Sequence, residues 1–452
     1  MTKPTGDTTT LPLSSHLYSR RSMLKASGTV LALAATGHGR HGAVVAAQTP
    51  EVLPESGEAV SELSALDGAM RTLMASWALP GAQLAVAKEG RLVLNRGYGL
   101  ADVETHESVQ PDHLFRIASV SKMITTVGIL RLVENGRLAL DDAVFPLLDL
   151  TPPPGAVLDP RLEEITVEHL LIHAGGWNSG ASGDPQYLPL CQVAASMFGE
   201  PGPPAPETLI RFMLGSPLDF DPGSASIYSN FGFNVAGRVI EQVSGKTYEA
   251  FIQEEVLEPA GISTMRLGKT HLEDRAEREV RYYQPPEYPA TVPSVYPGEG
   301  YVPFAYGSFY MDAMDAHGGW IASASDLLRY ATAIDGQRGN ALLQPETVDL
   351  MVNTPRPPSE GYNGAGNQDA ATGLGWVVQP GTAGPEWAHT GALGGSTAAL
   401  LLRTGDGLWI SFVTNTLPAD FIAFFGALRP ALTTAASEVT GWPDTDLFDS
   451  AT

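Results

Sequence analysis

Three short stretches of this 452-residue chain bring together groups that could carry out acyl transfer. In Ser119-Val120-Ser121-Lys122 a hydroxyl and an amine stand three residues apart, so on a helix they share a face and touch. A serine hydroxyl is a poor nucleophile at neutral pH, and a neighbouring amine takes its proton only if burial or nearby positive charge keeps that amine partly neutral. Ser119 is then the candidate nucleophile and Lys122 the candidate base. Alone the S-x-x-K pattern is weak, because a capping serine beside a solvated lysine gives the same letters. The flanking Phe115-Arg116-Ile117-Ala118 and Met123-Ile124 sharpen it: the pair lies where an apolar segment enters a helix, with the serine near the N-terminal amides.

Tyr228-Ser229-Asn230 follows Asp221-Pro222-Gly223 and leads into a helical run, so a phenol, a hydroxyl and an amide sit on a loop that can reach into a cleft. Tyr228 could hold or relay the leaving-group proton, and Asn230 could hydrogen-bond a substrate amide or Lys122. The plainer reading of the triplet is a packed tyrosine with a capping asparagine. His389-Thr390-Gly391 is expected just before a strand, with Gly391 leaving room for a substrate backbone. A donor at His389 could bind a carboxylate or assist proton transfer, and the Ala392 N–H could join that of Ser119 in an oxyanion hole.

The elements that must position these groups are legible in outline. Leu63, Leu66, Met70, Leu73 and Trp77 share a helical face that Pro80-Gly81 ends. Ala82 to Lys88 and Arg91 to Tyr98 read as a hairpin turned by Glu89-Gly90. Helical patterns run over Val120 to Leu140, Val167 to Ile172 and Ser229 to Val243, and Ser325-Asp326 looks like a further helix start. Gly375 to Val378 reads as a strand, and Ala398 to Arg403 with Leu408 to Thr414 as a second hairpin. Residues 284 to 306, rich in proline and tyrosine, read as an ordered loop or lid, either facing substrate or only packing on the body. A chain that begins and ends in antiparallel strands with a helical middle predicts an α+β fold: one sheet built from both ends, flanked by helices, with a mostly helical domain inserted.

Composition narrows the function. Fifty acidic against 27 basic residues give a formal charge of -23, which repels phosphate backbones and anionic lipid, so nucleic acid is excluded as a partner. Cys191 is the single cysteine, so no internal disulfide forms and the residue reads as buried filler. His169 and His173 stand four apart but no H-E-x-x-H is formed, so no metal site and no cofactor are expected. Gly245-Lys246-Thr247 lacks the first glycine of a phosphate loop, and the absence of G-x-S-x-G removes an α/β-hydrolase.

Ser19-Arg20-Arg21-Ser22-Met23-Leu24-Lys25, the weakly apolar Ala26 to Ala35 and the small residues ending Val45-Ala46-Ala47 read as a twin-arginine signal over residues 1–47, with a linker over 48–60. Export to the periplasm or the outside follows, and no later segment has the roughly 18 uninterrupted apolar residues of a membrane span. The catalytic domain is expected over 61–435, its α/β part at about 61–118 and 318–435 and its helical part at about 119–317, with a tail over 436–452.

The three motifs in this order resemble the serine β-lactamase and penicillin-recognising hydrolase superfamily, in the branch of class C β-lactamases, secreted DD-peptidases and β-lactamase-like esterases. The resemblance spans about residues 60 to 435 and includes Glu134-Asn135-Gly136 with Leu140-Asp141-Asp142, Thr166 to Gly176, Gly318 to Leu327 and Gly373-Leu374-Gly375-Trp376. It implies the β-lactamase/transpeptidase-like fold, acylation of Ser119, acid and base work shared by Lys122 and Tyr228, substrate positioning by Asn230, and an acyl site lined by His389, Thr390, Gly391 and Ala392. One departure is the histidine of His389-Thr390-Gly391 where many β-lactamases carry Lys-Thr-Gly; an imidazole holds a carboxylate less firmly than a fixed ammonium, which demotes β-lactam hydrolysis. The activity expected first is DD-carboxypeptidase-like hydrolysis of a peptide, such as a cell-wall peptide, or a small-molecule amide or ester; carboxylesterase activity comes next. A catalytically idle cell-wall binding or sensing module is the non-enzymatic alternative.

Overall fold

The computed structural model describes residues 53–339, 341–353, 359–360, 371–381 and 383–448. The twin-arginine segment and the first part of the linker lie outside the described residues. A nine-stranded antiparallel sheet organises the fold, its strands being β1 (Glu55–Ser56), β2 (Gly81–Lys88), β3 (Arg91–Asp102), β4 (Glu107–Ser108), β5 (Ala371–Thr372), β6 (Val377–Gly381), β7 (Gly384–Leu393), β8 (Thr397–Arg403) and β9 (Trp409–Thr414). Their order is β1-β3-β2-β9-β8-β7-β6-β5, with β4 paired to β3, so the β2–β9 pairing stitches the first hairpin to the last. The sheet is therefore closed from both ends of the chain, as the α+β reading requires.

Its central strands are buried on both faces, which is why they read as continuous apolar runs. Leu84, Val86, Leu400, Leu402, Ile410 and Phe412 face helices α1 (Ser64–Ser76) and α7 (Phe421–Ser437), packing on Leu66, Met70, Phe424 and Leu428. The alternate residues Ala85, Ala87, Ala399, Leu401 and Val413 face the opposite way, into a larger core shared with α2 (Ser121–Glu134), α4 (Asn230–Ser244) and α6 (Ala324–Ile334). α2 is buried nearly all round, so the helix that carries the S-x-x-K pair is fixed by packing along its length.

Several expected elements shift. α2 stops at Glu134, before Leu140, because Asn135 caps it and Gly136 takes a positive φ of 65°. α6 begins two residues earlier than expected: Ser323 is its cap and exchanges hydrogen bonds with Asp326 in a capping box. His389-Thr390-Gly391 does not precede a strand but lies inside β7, paired to Leu401, Leu400 and Ala399 of β8. α7 was not expected at all, since Pro430 falls within it. The 284–306 segment folds back on itself through a short pair, Val292–Pro293 with Tyr301–Val302. Cys191 is buried among Ala194, Leu209, Val295 and Ala313, and burial pushes its thiol up to about 11. No helix among the described residues is long and apolar enough to cross a membrane.

Candidate active site

Ser119 stands where the short strand Phe115–Arg116 passes into α2 through one 3-10 turn, Ala118–Val120. The corner is sharp because Ala118 adopts φ 44°, a left-handed conformation that costs a non-glycine residue about 1 kcal/mol or more. Surrounding bonds hold it there. The Ile117 N–H donates to the Trp320 carbonyl at 3.1 Å, and Thr397 Oγ1 donates to the Arg116 carbonyl at 2.7 Å. Gly391 presses on the same segment: a β-carbon there would stand 2.1 Å from the Ile117 carbonyl oxygen. The open side of Gly391 is thus filled by the chain's own backbone, not left for a substrate. Its absent side chain draws β7 against the serine corner.

Lys122, one turn further, is 0% exposed. Its Nζ lies 3.0 Å from Ser119 Oγ, 2.9 Å from Asn230 Oδ1 and 3.0 Å from the His317 carbonyl oxygen. Burial lowers its pKa to about 7, with the nearby Asp184 carboxylate opposing the shift, so much of the amine is neutral near pH 7. A neutral amine has two N–H bonds and one lone pair. Asn230 Oδ1 and the His317 carbonyl can only accept, so they take the two N–H bonds and the lone pair is left to face Ser119 Oγ. This arrangement can remove the serine proton. From the other side the Tyr228 hydroxyl donates to Ser119 Oγ at 2.7 Å.

Tyr228 is set by the residues around the start of α4. Ser229 caps that helix by accepting from the Gly232 N–H, and its own N–H donates to His173 Nδ1 at 3.2 Å. The His173 ring packs on the Tyr228 ring with centroids 4.6 Å apart. His169 is engaged in another way, its Nδ1 accepting from the Thr166 N–H in the capping box of α3 (Val167–Leu171). Both histidines therefore hydrogen-bond within the fold. Asn230 uses its second amide atom on Asp184, Nδ2 donating to Oδ2 at 2.8 Å.

His389 is 1% exposed and its Nδ1 lies 2.7 Å from the Thr390 carbonyl, which can only accept, so Nδ1 carries the hydrogen. Burial, and then the charge on Lys122, lower its pKa to about 3. The ring is neutral at every pH of interest and lies behind the cavity wall, whereas Thr390 and Ala392 of the same strand line that wall beside Ser119. The cavity, about 190 Å³, takes its polar lining from Ser119, Tyr228, Asn230, His317 and Thr390, and its apolar lining from Tyr187, Met314, Leu393 and Phe421. Phe304 of the 284–306 segment packs with Tyr187, Ala118 and Leu393 at its edge.

The structure thus gathers Ser119, Tyr228, Asn230, Thr390 and Ala392 around one cavity, with Lys122, Gly391 and His389 supporting it from behind. Sequence reasoning missed Asp184, His317 and Tyr187. Asp184 and Tyr187 belong to an aperiodic loop, and His317 contributes a carbonyl that no side-chain pattern announces.

The Beta-lactamase family model matches residues 66–433. Esterase EstB of Burkholderia gladioli is 28% identical over 385 residues, covering 79% of this chain and 92% of that protein. Lovastatin esterase of Penicillium rubens is 29% identical over 281 residues, covering 58% of this chain and 65% of that protein, so the match spans just under two thirds of its length. Among solved structures, D-amino acid amidase from Ochrobactrum anthropi SV3 matches with a TM-score of 0.63 at 20% identity, over 84% of this chain and 100% of that one. The octameric penicillin-binding protein homologue from Pyrococcus abyssi matches with a TM-score of 0.60 at 24% identity, over 84% of this chain and 79% of that one. The structural likenesses fix the fold as the β-lactamase/transpeptidase-like one, and with the family match over most of its length the chain belongs to the Beta-lactamase family, as a serine hydrolase.

Proposed function

We propose that the protein is an exported carboxylesterase that cleaves uncharged esters with an apolar acyl or alcohol part, through an acyl-enzyme on Ser119. The observation that carries this reading is the cavity itself. Its walls are largely apolar, and no arginine or lysine is among the described residues that line it. Lys122 lies behind, bonded to Ser119, Asn230 and His317, and His389 is neutral, so neither offers a spare cation to a substrate carboxylate. The esterase relatives support the same choice.

In the proposed reaction Lys122 Nζ takes the Ser119 proton as Oγ bonds to the ester carbonyl carbon. The N–H groups of Ser119 and Ala392 receive the developing oxyanion. On collapse the carbon–oxygen bond to the leaving alcohol breaks, and the proton held by Lys122 passes to that oxygen by way of the Tyr228 hydroxyl. Water, deprotonated by the same groups, then releases the acid and restores Ser119. DD-carboxypeptidase-like cleavage is the second reading, kept by the Thr390 hydroxyl group on the cavity-lining strand, which could hydrogen-bond a terminal carboxylate.

Turnover of p-nitrophenyl butyrate, of a D-Ala-D-Ala peptide and of a penicillin by wild type and Ser119→Ala tests the reading. Ester turnover that Ser119→Ala abolishes, in a variant with an unchanged melting temperature, is the expected result. Retained ester turnover in that variant contradicts the nucleophile, and cleavage of the peptide alone moves the assignment to the second reading.

A further inference from the structure

The proton arrangement around Lys122 depends on which way the Asn230 amide faces, and nothing within Asn230 decides that. Oxygen and NH2 have nearly the same shape, so only the partners select the orientation. If the amide were turned over, Nδ2 would point at Lys122 and donate to its lone pair, and the amine could no longer accept the Ser119 proton. We propose that Asp184 is a positioning residue for the acylation step: its carboxylate, accepting from Asn230 Nδ2 at 2.8 Å, locks Oδ1 toward Lys122 and so leaves the amine lone pair aimed at Ser119.

Asp184 is built for this. Its Oδ1 accepts from the Gln186 N–H at 3.1 Å, and its carbonyl oxygen accepts from the Tyr187 N–H at 3.2 Å, so the carboxylate is tied to the loop that carries the cavity residue Tyr187. A carboxylate has no hydrogen to give, so the Asn230 group that faces it must be the NH2. Burial pushes the Asp184 carboxyl up, while Asn230, the Gln186 N–H and Lys122 pull it down.

The same residue acts on the charge of Lys122. The ionisable groups around the amine are Asp184, Tyr228, His173, His317 and His389, with the Arg238–Asp315 ion pair of α4 and α5 (Asp315–Gly318) beyond His317. Tyr248 and Tyr330 pack on other residues of α2, and Glu255 meets Arg131 at its far end. Burial holds the three imidazoles neutral, so Asp184 is the anion among these that acts directly on the amine and raises its pKa. Removing that negative charge therefore lowers the pKa of Lys122 and moves the acid limb of the acylation rate to lower pH.

This inference rests on the proposed role of Ser119, and a fluorophosphonate probe tests it independently of ester specificity. Labelling rates are measured against pH for wild type, Asp184→Ala, Asp184→Asn and Ser119→Ala. Asp184→Ala, which has no acceptor for Nδ2, is expected to label at least about tenfold more slowly on the high-pH plateau, within the scale of losing a well-placed base. Asp184→Asn keeps an acceptor oxygen without the charge; its plateau rate should stay within about threefold of wild type while its acid limb moves to lower pH. Asp184→Ala labelling at the wild-type rate on that plateau overturns the proposal. Should that variant not fold, an Asp184→Asn limb coincident with wild type does so instead. A wild type that the probe does not label, or labelling that survives in Ser119→Ala, overturns the Ser119 reading and this inference with it.

Discussion

At the scale of residues, the proposed acylation depends on the protonation of one amine. Lys122 must be neutral to accept the Ser119 proton, and burial lowers its pKa to about 7. Below that value the protonated fraction grows, so kcat/KM for an uncharged ester is expected to fall about tenfold for each pH unit, with an inflection near pH 7. An activity flat down to pH 5 contradicts Lys122 as the base. His389 does not confuse this limb, because its ring stays neutral until far lower pH. The Ser119–Lys122 pair was legible in the sequence because a three-residue spacing on a helix is a local fact. Asp184, 46 positions from Asn230, and His317, 195 from Lys122, meet the site only through tertiary packing, for which single-sequence spacing gives no signal.

At the scale of elements, the serine corner is held by what surrounds it. Arg116, 0% exposed, donates to the Ala305 carbonyl at 2.7 Å, to Ser396 Oγ at 3.1 Å and to the Lys269 carbonyl at 2.8 Å, and its guanidinium lies over the Tyr282 ring at 4.4 Å. It therefore joins the corner, the end of the 284–306 segment and the turn after β7. Arg116 Nε also lies 3.8 Å from a Glu279 oxygen; burial raises the Glu279 carboxyl and Arg116 opposes that shift. Arg116→Met should cost about 3–5 kcal/mol of stability, since it leaves Glu279 buried without its cation. The loss should shrink at acid pH, where Glu279 takes up a proton, and a melting temperature unchanged from wild type refutes the clamp. The hairpins and α1 were readable because strong periodicity and a Gly-containing turn coincide. α7 and the extent of β7 were not: Pro430 and Gly426 speak against a helix, and Gly391 with two polar neighbours speaks against a strand, while packing on the sheet overrides both signals.

At the scale of the whole molecule, the sheet closed by β2 and β9 brings residues from the first and last thirds of the chain to one cavity, with the helical region supplying Tyr228 and Asn230. The whole chain carries a formal charge of -23, a balance that disfavours the approach of anionic substrates and agrees with the proposed preference for uncharged esters. The fold class was readable from the strand, helix, strand order alone, because burial of the central strands on both faces makes them conspicuous as apolar runs. The choice of substrate was not, because it lies in which side chains the loops around 187, 304 and 421 bring to the rim. The most direct test of the central claim is intact-protein mass spectrometry of wild type mixed rapidly with p-nitrophenyl butyrate and quenched in acid, with the modified peptide then identified. A butyryl adduct on Ser119 that forms and decays with turnover is expected; ester hydrolysis with no adduct on Ser119 at any time, under conditions where deacylation limits the rate, contradicts the acyl-enzyme on Ser119.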